Sequence, residues 1–144
     1  DAALTRSQYP DFETAVETRQ IIAECFSGAT LADCMASLEK EAEAGSKAAM
    51  DIVKVIATRS PTSVAVTFRQ IADGRPLDLD DCMRMEYRIA NRMLEAHDFY
   101  EGVRALLIDK DGAPNWKPAT LDEVKPEQVN VYFANLGDKE LTLW

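Results

Sequence analysis

Residues 60–74 read SPTSVAVTFRQIADG, and this stretch decides between a helical and a sheet fold. Ser60 can cap a helix, and Pro61 suits the first helical turn, where its missing N–H costs nothing. Three apolar residues then recur at helical spacing: Val64, Phe68 and Ile71. The weak strand-like alternation at residues 64–67 lies inside this run, which ends at Gly74. The stretch therefore predicts a helix.

Helical signals continue on both sides of this stretch. Four apolar residues indicate an upstream helix that closes near Gly28: Phe12, Val16, Ile22 and Phe26. Thr30 caps a second helix, and Ser46 opens a third. Asp78 caps the longest helix, at about residues 79–96. That helix carries six apolar residues: Met83, Tyr87, Ile89, Ala90, Met93 and Leu94.

Two or three further helices are predicted downstream. Asp98 opens the first of them, with Glu101 three residues later as its capping-box partner. Residues 120–136 hold one or two short helices, with Pro126 at a first-turn position. The predicted fold class is therefore all-α, with about six to seven helices.

Length and composition favour one ordered globular domain. A chain of 144 residues can bury a real core, and its 47% hydrophobic content argues against disorder. No internal repeat or linker divides the sequence. We therefore expect a single helical domain over residues 1–144.

The charge and the cysteines exclude several classes of partner and site. Asp and Glu outnumber Lys and Arg by 25 to 16, which disfavours nucleic acid and anionic membranes as partners. No apolar run approaches the ~20 residues that span a bilayer. Three isolated cysteines, with no CxxC motif, predict free thiols in a reducing compartment and no metal site: Cys25, Cys34 and Cys82.

No catalytic residue can be assigned from motifs. The glycines stand alone, and no nucleophile elbow, phosphate loop or dinucleotide fingerprint is present. The single histidine, His97, precedes Asp98, and two interpretations of this pair stay open. In one, they serve helix capping and the helix dipole. In the other, this corner faces a ligand pocket or an adjoining domain.

Two residues near this pair predict close packing. A glycine inside a helix costs about 1 kcal/mol against alanine, so Gly102 marks close packing or a nearby ligand. Trp116, in a proline-containing loop, is expected to anchor that loop to the helices. Arg69 and Arg104 either meet phosphates or pair with surface acids.

Several ordered motifs of the chain resemble one known family. They are HDFYEGVRA at 97–105, IDKD at 108–111, WKP at 116–118, SPTS at 60–63, TFRQ at 67–70 and MEYR at 85–88. This set is similar to the carboxyl-terminal region of the 3-hydroxyisobutyryl-CoA hydrolases. These hydrolases are a branch of the enoyl-CoA hydratase (crotonase) superfamily.

The resemblance implies a function that this chain does not carry out alone. Enzymes of the branch hydrolyse an acyl-CoA thioester to free acid and CoA in valine catabolism. Their catalytic groups belong to an amino-terminal crotonase core, which no segment here matches. The resemblance therefore implies a helical cover over the acyl-CoA site, with that core as its partner. Coenzyme A would enter only as part of the substrate, with no separate cofactor.

The same resemblance indicates a candidate site and a compartment. The face expected to lie toward the acyl-CoA consists of His97, Asp98, Phe99, Glu101 and Arg104. Bacterial cytoplasm and mitochondrial matrix both fit. Without its core the chain is expected to expose an unusually apolar face and to self-associate. Two alternatives stay open: a free-standing helical interaction or oligomerisation module, and part of an enoyl-CoA hydratase-type enzyme.

Overall fold

A computed structural model describes residues 14–143, and all regular structure in that range is helical. The range contains seven α-helices and no β-strand, which confirms the predicted fold class and number of helices. The chain divides into two compact units, one up to Val55 and one from Ile56. The single domain over residues 1–144 therefore stays a prediction. None of the described helices is long and apolar enough to cross a membrane.

The first unit is built on helices α1 (Val16–Cys25), α2 (Leu31–Glu43) and α3 (Lys47–Ala57), whose last two residues lie beyond Val55. Helix α2 begins as predicted, because the Thr30 side chain accepts a hydrogen bond from the Asp33 N–H and the Asp33 carboxylate accepts one from the Thr30 N–H. After α2 the chain turns at Gly45, with a φ of 96°.

The core of the first unit differs in part from the predicted stripe. Helices α1 and α2 contact each other, and their buried residues are Ile21, Cys25, Cys34 and Leu38. Val16 and Ile22 are exposed, so the buried face of α1 follows an i, i+4 step that the prediction missed. The predicted Phe12 lies outside the described residues.

The second unit contains the remaining helices. Helices α4 (Pro61–Gly74), α5 (Leu79–Glu95) and α7 (Pro126–Phe133) pack together, while α6 (His97–Val103) contacts α5. A π-helical turn, Arg104–Ile108, continues α6, and single 3₁₀ turns lie at Leu121–Glu123 and Gly137–Lys139. The shared core of α4, α5 and α7 consists of Val66, Met85, Ile89 and Val129.

The predicted caps of α4 and α5 are confirmed. The Ser60 Oγ accepts a hydrogen bond from the Ser63 N–H, and the Asp78 carboxylate accepts one from the Asp81 N–H. Pro61 and Pro126 occupy first-turn positions of their helices.

The spacing of apolar residues predicted where the helices lie, but it did not predict which face of each helix is buried. Several of the apolar residues in those patterns are exposed: Ile71 on α4 and Met83, Tyr87 and Leu94 on α5. The cause is that α4 and α5 carry apolar residues on more than one face, so spacing alone does not select the one that meets the core.

The predicted capping role of Asp98 is wrong. Helix α6 begins one residue earlier, at His97, and Ala96 occupies the capping position without a side-chain hydrogen bond. Asp98 therefore lies inside the first turn, where its carboxylate is buried and engaged by groups distant in the sequence.

Candidate functional site

Asp98 joins three segments of the second unit. Its Oδ2 accepts a hydrogen bond from the Ser60 Oγ at 2.5 Å, across 38 residues of sequence. Its Oδ1 accepts one from the Lys117 N–H at 2.9 Å and lies 3.0 Å from the His97 Nδ1. The side chain of Asp98 is only 8% exposed, and Ser60 is also buried. Motifs SPTS, HDF and WKP therefore meet at one buried carboxylate.

An open pocket of about 380 Å³ lies beside this carboxylate, and we call it the Asp98 pocket. Residues from α4, α5, α6, α7 and the 116–118 loop line it, among them Ser63, Arg92, His97, Lys117 and Tyr132. Burial, and then the negative charge of Asp98, raise the pKa of Tyr132 above its usual value. The pocket combines polar and charged groups with an apolar wall, as small-ligand sites do.

The five residues of the predicted site do not form one surface. His97 and Asp98 line the Asp98 pocket, whereas the other three lie elsewhere on α6 and its extension. Phe99 is exposed and meets Tyr100 edge to face, with ring centroids 5.4 Å apart. Glu101 and Arg104 bind each other and a nearby loop. That these residues face an acyl-CoA stays a prediction.

Arg104 acts as a clamp between α6 and the loop that follows the π-helical turn. Its guanidinium donates to both carboxylate oxygens of Glu101, at 2.9 and 3.0 Å. It also donates to Asp109 and Asp111, each at 2.7 Å, and to the Ala113 carbonyl. Three carboxylates surround one cation, so of the two open interpretations of Arg104 the structure favours pairing with acids over binding phosphate.

Glu101 is the acidic centre of the same cluster. Its carboxylate accepts the Asn115 N–H at 2.7 Å in addition to the Arg104 guanidinium. The hydrogen bonds from Arg104 and then from Asn115 lower the pKa of Glu101 to about 2, from an ordinary value of 4.5. Arg104 likewise lowers the pKa of Asp111. The cluster is therefore held together by charge over the ordinary pH range.

This cluster predicts an acid-sensitive second unit. A carboxylate whose pKa is lowered by folding adds stability above its ordinary pKa and loses it as the pH falls through the folded value. The free energy of unfolding should therefore decrease between pH 4.5 and about 2, the window set by Glu101. Urea unfolding at several pH values should show a smaller decrease in Glu101→Gln than in the parent chain. As a control, Glu127→Gln, at an exposed position on α7, should keep the parent slope. Equal slopes in all three proteins would contradict the assignment.

Trp116 anchors its loop as predicted. Its indole Nε1 donates to the Thr58 carbonyl at 3.2 Å. Its ring lies against Gly102, where an added Cβ would come within 3.3 Å of the indole. The glycine inside α6 is thus explained by close approach of this ring, the packing interpretation of the two that the sequence allowed.

An apolar surface lies at the end of α6. Leu106, Leu107 and Ile108 of the π-helical turn are 63%, 67% and 69% exposed, although the neighbouring Ala105 is fully buried. Tyr100 is 61% exposed on the preceding helix. We call residues 106–108 the apolar turn. A π-helical turn is rare and often occurs at functional positions, so this exposed apolar run is unusual on two counts.

Comparison with known families shows to which family the chain belongs. Residues 2–133 match the model of the enoyl-CoA hydratase/isomerase family. The chain belongs to this family. Among curated members it is similar to the mitochondrial 3-hydroxyisobutyryl-CoA hydrolases of Rattus norvegicus and Homo sapiens, with 45% and 43% identity over 120 residues. Those 120 residues are 83% of this chain but only 30% of each relative.

Two solved structures of the family share the helical architecture. A carnitinyl-CoA dehydratase from Mycobacterium thermoresistibile matches 94% of this chain at 40% identity, with a TM-score of 0.80. An enoyl-CoA hydratase from Rhodobacter sphaeroides 2.4.1 matches the same share at 30% identity, with a TM-score of 0.77. The match covers 38% and 40% of those chains, so this family member spans well under half of each.

Sequence reasoning missed parts of the Asp98 pocket. It found Ser60 as a helix cap but could not pair it with Asp98, because nothing local links residues 38 positions apart. Arg92 also escaped notice, since a charged residue on a long helix is ordinarily solvated. Among the described residues no group of three or more His, Cys, Asp or Glu side chains is placed to hold a metal ion.

Proposed function

We propose that this chain is the helical part of an acyl-CoA thioester hydrolase and carries no catalytic residue of its own. The observation that carries the proposal is its identity of 40–45% with curated relatives named 3-hydroxyisobutyryl-CoA hydrolase, as in the Rattus norvegicus and Danio rerio proteins. In the proposed reaction, water adds to the thioester carbonyl and the C–S bond breaks, which releases the free acid and the CoA thiol.

The partner in this proposal is a crotonase core, and the apolar turn is the surface that packs on it. Three consecutive aliphatic side chains, each more than 60% exposed, favour burial against another protein surface. Ion pairs from Arg104 to three carboxylates fix the start of this turn, so the apolar turn is held in one orientation on α6. His97 and Phe99, both exposed on the preceding helix, remain the proposed groups nearest to the acyl-CoA.

Exchange of the matched region within a relative tests the proposal. We expect the 144-residue chain alone to show no hydrolysis of 3-hydroxyisobutyryl-CoA. A chimera in which this chain replaces the matched 30% of the rat hydrolase should hydrolyse the thioester. In that chimera Leu107→Asp should lower activity at least about tenfold, because it buries a carboxylate in an apolar contact.

A matched variant and a second chimera sharpen the test. Leu79→Asp, at a 75% exposed leucine on α5, should leave the chimera active. A second chimera joins this chain to the core of the carnitinyl-CoA dehydratase, which is 40% identical in the matched region. It tests whether this chain restores dehydratase activity as well as it restores hydrolase activity. An inactive hydrolase chimera beside an active dehydratase chimera would replace the hydrolase proposal with the alternative of a hydratase-type enzyme.

The proposal extends to assembly and compartment. The curated relatives are named as mitochondrial proteins, so we propose the mitochondrial matrix or, for a bacterial source, the cytoplasm. The apolar turn also supports self-association of the chain when no core is bound. A free-standing oligomerisation module stays the alternative if neither chimera is active while the isolated chain forms a stable oligomer.

A further inference from the structure

We propose that the Asp98 pocket binds a small monocarboxylate through the guanidinium of Arg92. His97, which the proposed function puts near the acyl-CoA, also lines this pocket, but this inference rests on Arg92 and is tested without thioester hydrolysis. It rests on an unpartnered nitrogen of Arg92, on the walls of the pocket and on the charges around it.

Arg92 is an exception among the arginines of the second unit. The other partly buried arginines of this unit each pair with a carboxylate: Arg69 with Asp73, Arg84 with Asp81, Arg88 with Glu140 and Arg104 with Glu101. Arg92 is also partly buried, but its Nε has no hydrogen-bond partner among the described residues. A buried N–H of a guanidinium without an acceptor costs free energy, which a bound anion would recover.

Arg92 combines a buried nitrogen with a place in the lining of the pocket. Its Nε is shielded from solvent and lacks a hydrogen-bond partner, and the residue lines the Asp98 pocket. A carboxylate is the ligand whose two oxygens match the N–H groups of a guanidinium. The pocket volume of about 380 Å³ exceeds what one carboxylate fills, so the ligand has room for an organic body.

The other walls define that body. Met93, Pro118 and Val131 supply an apolar surface, while Ser63 and Gln128 supply neutral polar groups. A small branched or linear aliphatic acid would place its carboxylate on Arg92 and its carbon chain on the apolar wall.

The surrounding charges favour one negative charge over several. Lys117 is a second cation at the pocket, and Glu95 and Asp98 are the two acids that line it. The Asp98 carboxylate accepts hydrogen bonds from the Ser60 hydroxyl and the Lys117 N–H, and no such contact joins it to Arg92. Glu95 is exposed and would repel a polyanion more strongly than a monoanion. The pocket therefore suits a monocarboxylate better than a phosphate dianion.

Titration of the 144-residue chain with isobutyrate, followed by amide NMR, tests the inference. Isobutyramide has the same shape without the charge, and inorganic phosphate has charge without the apolar body. At constant ionic strength we expect saturable shifts at Ser63, Met93 and Lys117 with isobutyrate. Isobutyramide should produce none, and phosphate should bind more weakly than isobutyrate.

Two variants connect the binding to Arg92. Arg92→Gln should weaken isobutyrate binding about tenfold or more, the range for losing a hydrogen bond to a charged group. Arg84→Gln, on the same helix but paired with Asp81 outside the pocket, should bind as the parent does. Lys117→Gln keeps the backbone N–H that binds Asp98 and should weaken binding by a smaller factor.

Three results would overturn the inference. The first is that isobutyrate causes no saturable shift. The acceptor for Arg92 would then be a carboxylate of a neighbouring protein segment. Phosphate could bind more tightly than isobutyrate. Arg92→Gln could retain parent affinity while its amide spectrum shows an intact fold. Each of these results is independent of thioester hydrolysis by the chimeras.

Discussion

Asp98→Ala is expected to destabilise the second unit by about 3 kcal/mol. The change leaves the Ser60 hydroxyl and the Lys117 N–H without the acceptor that they now share. It also removes the buried carboxylate that holds the first turn of α6 against the start of α4. A buried donor that loses its acceptor costs its full desolvation penalty, and here two donors are affected.

Tryptophan fluorescence during urea unfolding measures the free energy of unfolding of the second unit. Trp116 lies in the unit that begins at Ile56, and residues 1–55 of the sequence contain no tryptophan. Asp122→Asn is the matched control, because Asp122 is exposed in a 3₁₀ turn of the same unit. We expect that control to stay within about 0.5 kcal/mol of the parent. A loss below about 1 kcal/mol for Asp98→Ala would show that water replaces the carboxylate at little cost.

Trp116→Ala is expected to cost about 2 kcal/mol, less than a fully buried tryptophan because its ring is only partly buried. The substitution removes the ring that covers Gly102 and the hydrogen bond to the Thr58 carbonyl. Because Lys117 follows Trp116 directly, the loop should also hold the Lys117 N–H against Asp98 less firmly.

Amide hydrogen exchange in α5 and α7 measures this loss without relying on the deleted chromophore. Trp116→Phe is the informative control, since it keeps an aromatic ring near Gly102 but removes the indole N–H. We expect it to lose less than half of the stability lost in Trp116→Ala. If both substitutions cost the same, the hydrogen bond to Thr58, rather than ring packing, would hold the loop.

The helices of this protein could be predicted because their signals are local. Ser60, Asp78 and Thr30 cap helices within three residues of themselves, and Pro61 and Pro126 occupy first turns. The start of α6 could not be predicted in this way, since Asp98 has the chemistry of a cap but is used by a more distant partner. A sequence pattern does not show which of two available hydrogen-bond partners an aspartate will take.

The candidate site was predictable only in outline. The motif around His97 includes two residues of the Asp98 pocket, but its residues separate into a pocket wall, a clamp and an exposed aromatic pair. Separating them requires tertiary contacts: Glu101 binds the Asn115 N–H across 14 residues, and Lys117 binds Asp98 across 19. Arg92 was not identifiable, because its significance lies in a missing partner and a sequence does not show missing partners.

The convergence of three chain segments on Asp98 has a thermodynamic consequence for anything that binds beside it. Ser60, Asp98 and Lys117 are far apart in the sequence, so a partly folded chain has no pocket wall to offer. A ligand that recognises the assembled wall would bind only the folded second unit and would shift its unfolding equilibrium by mass action. A higher concentration of such a ligand would then raise the free energy of unfolding of this unit. A carboxylic acid that binds the pocket would therefore stabilise the folded state.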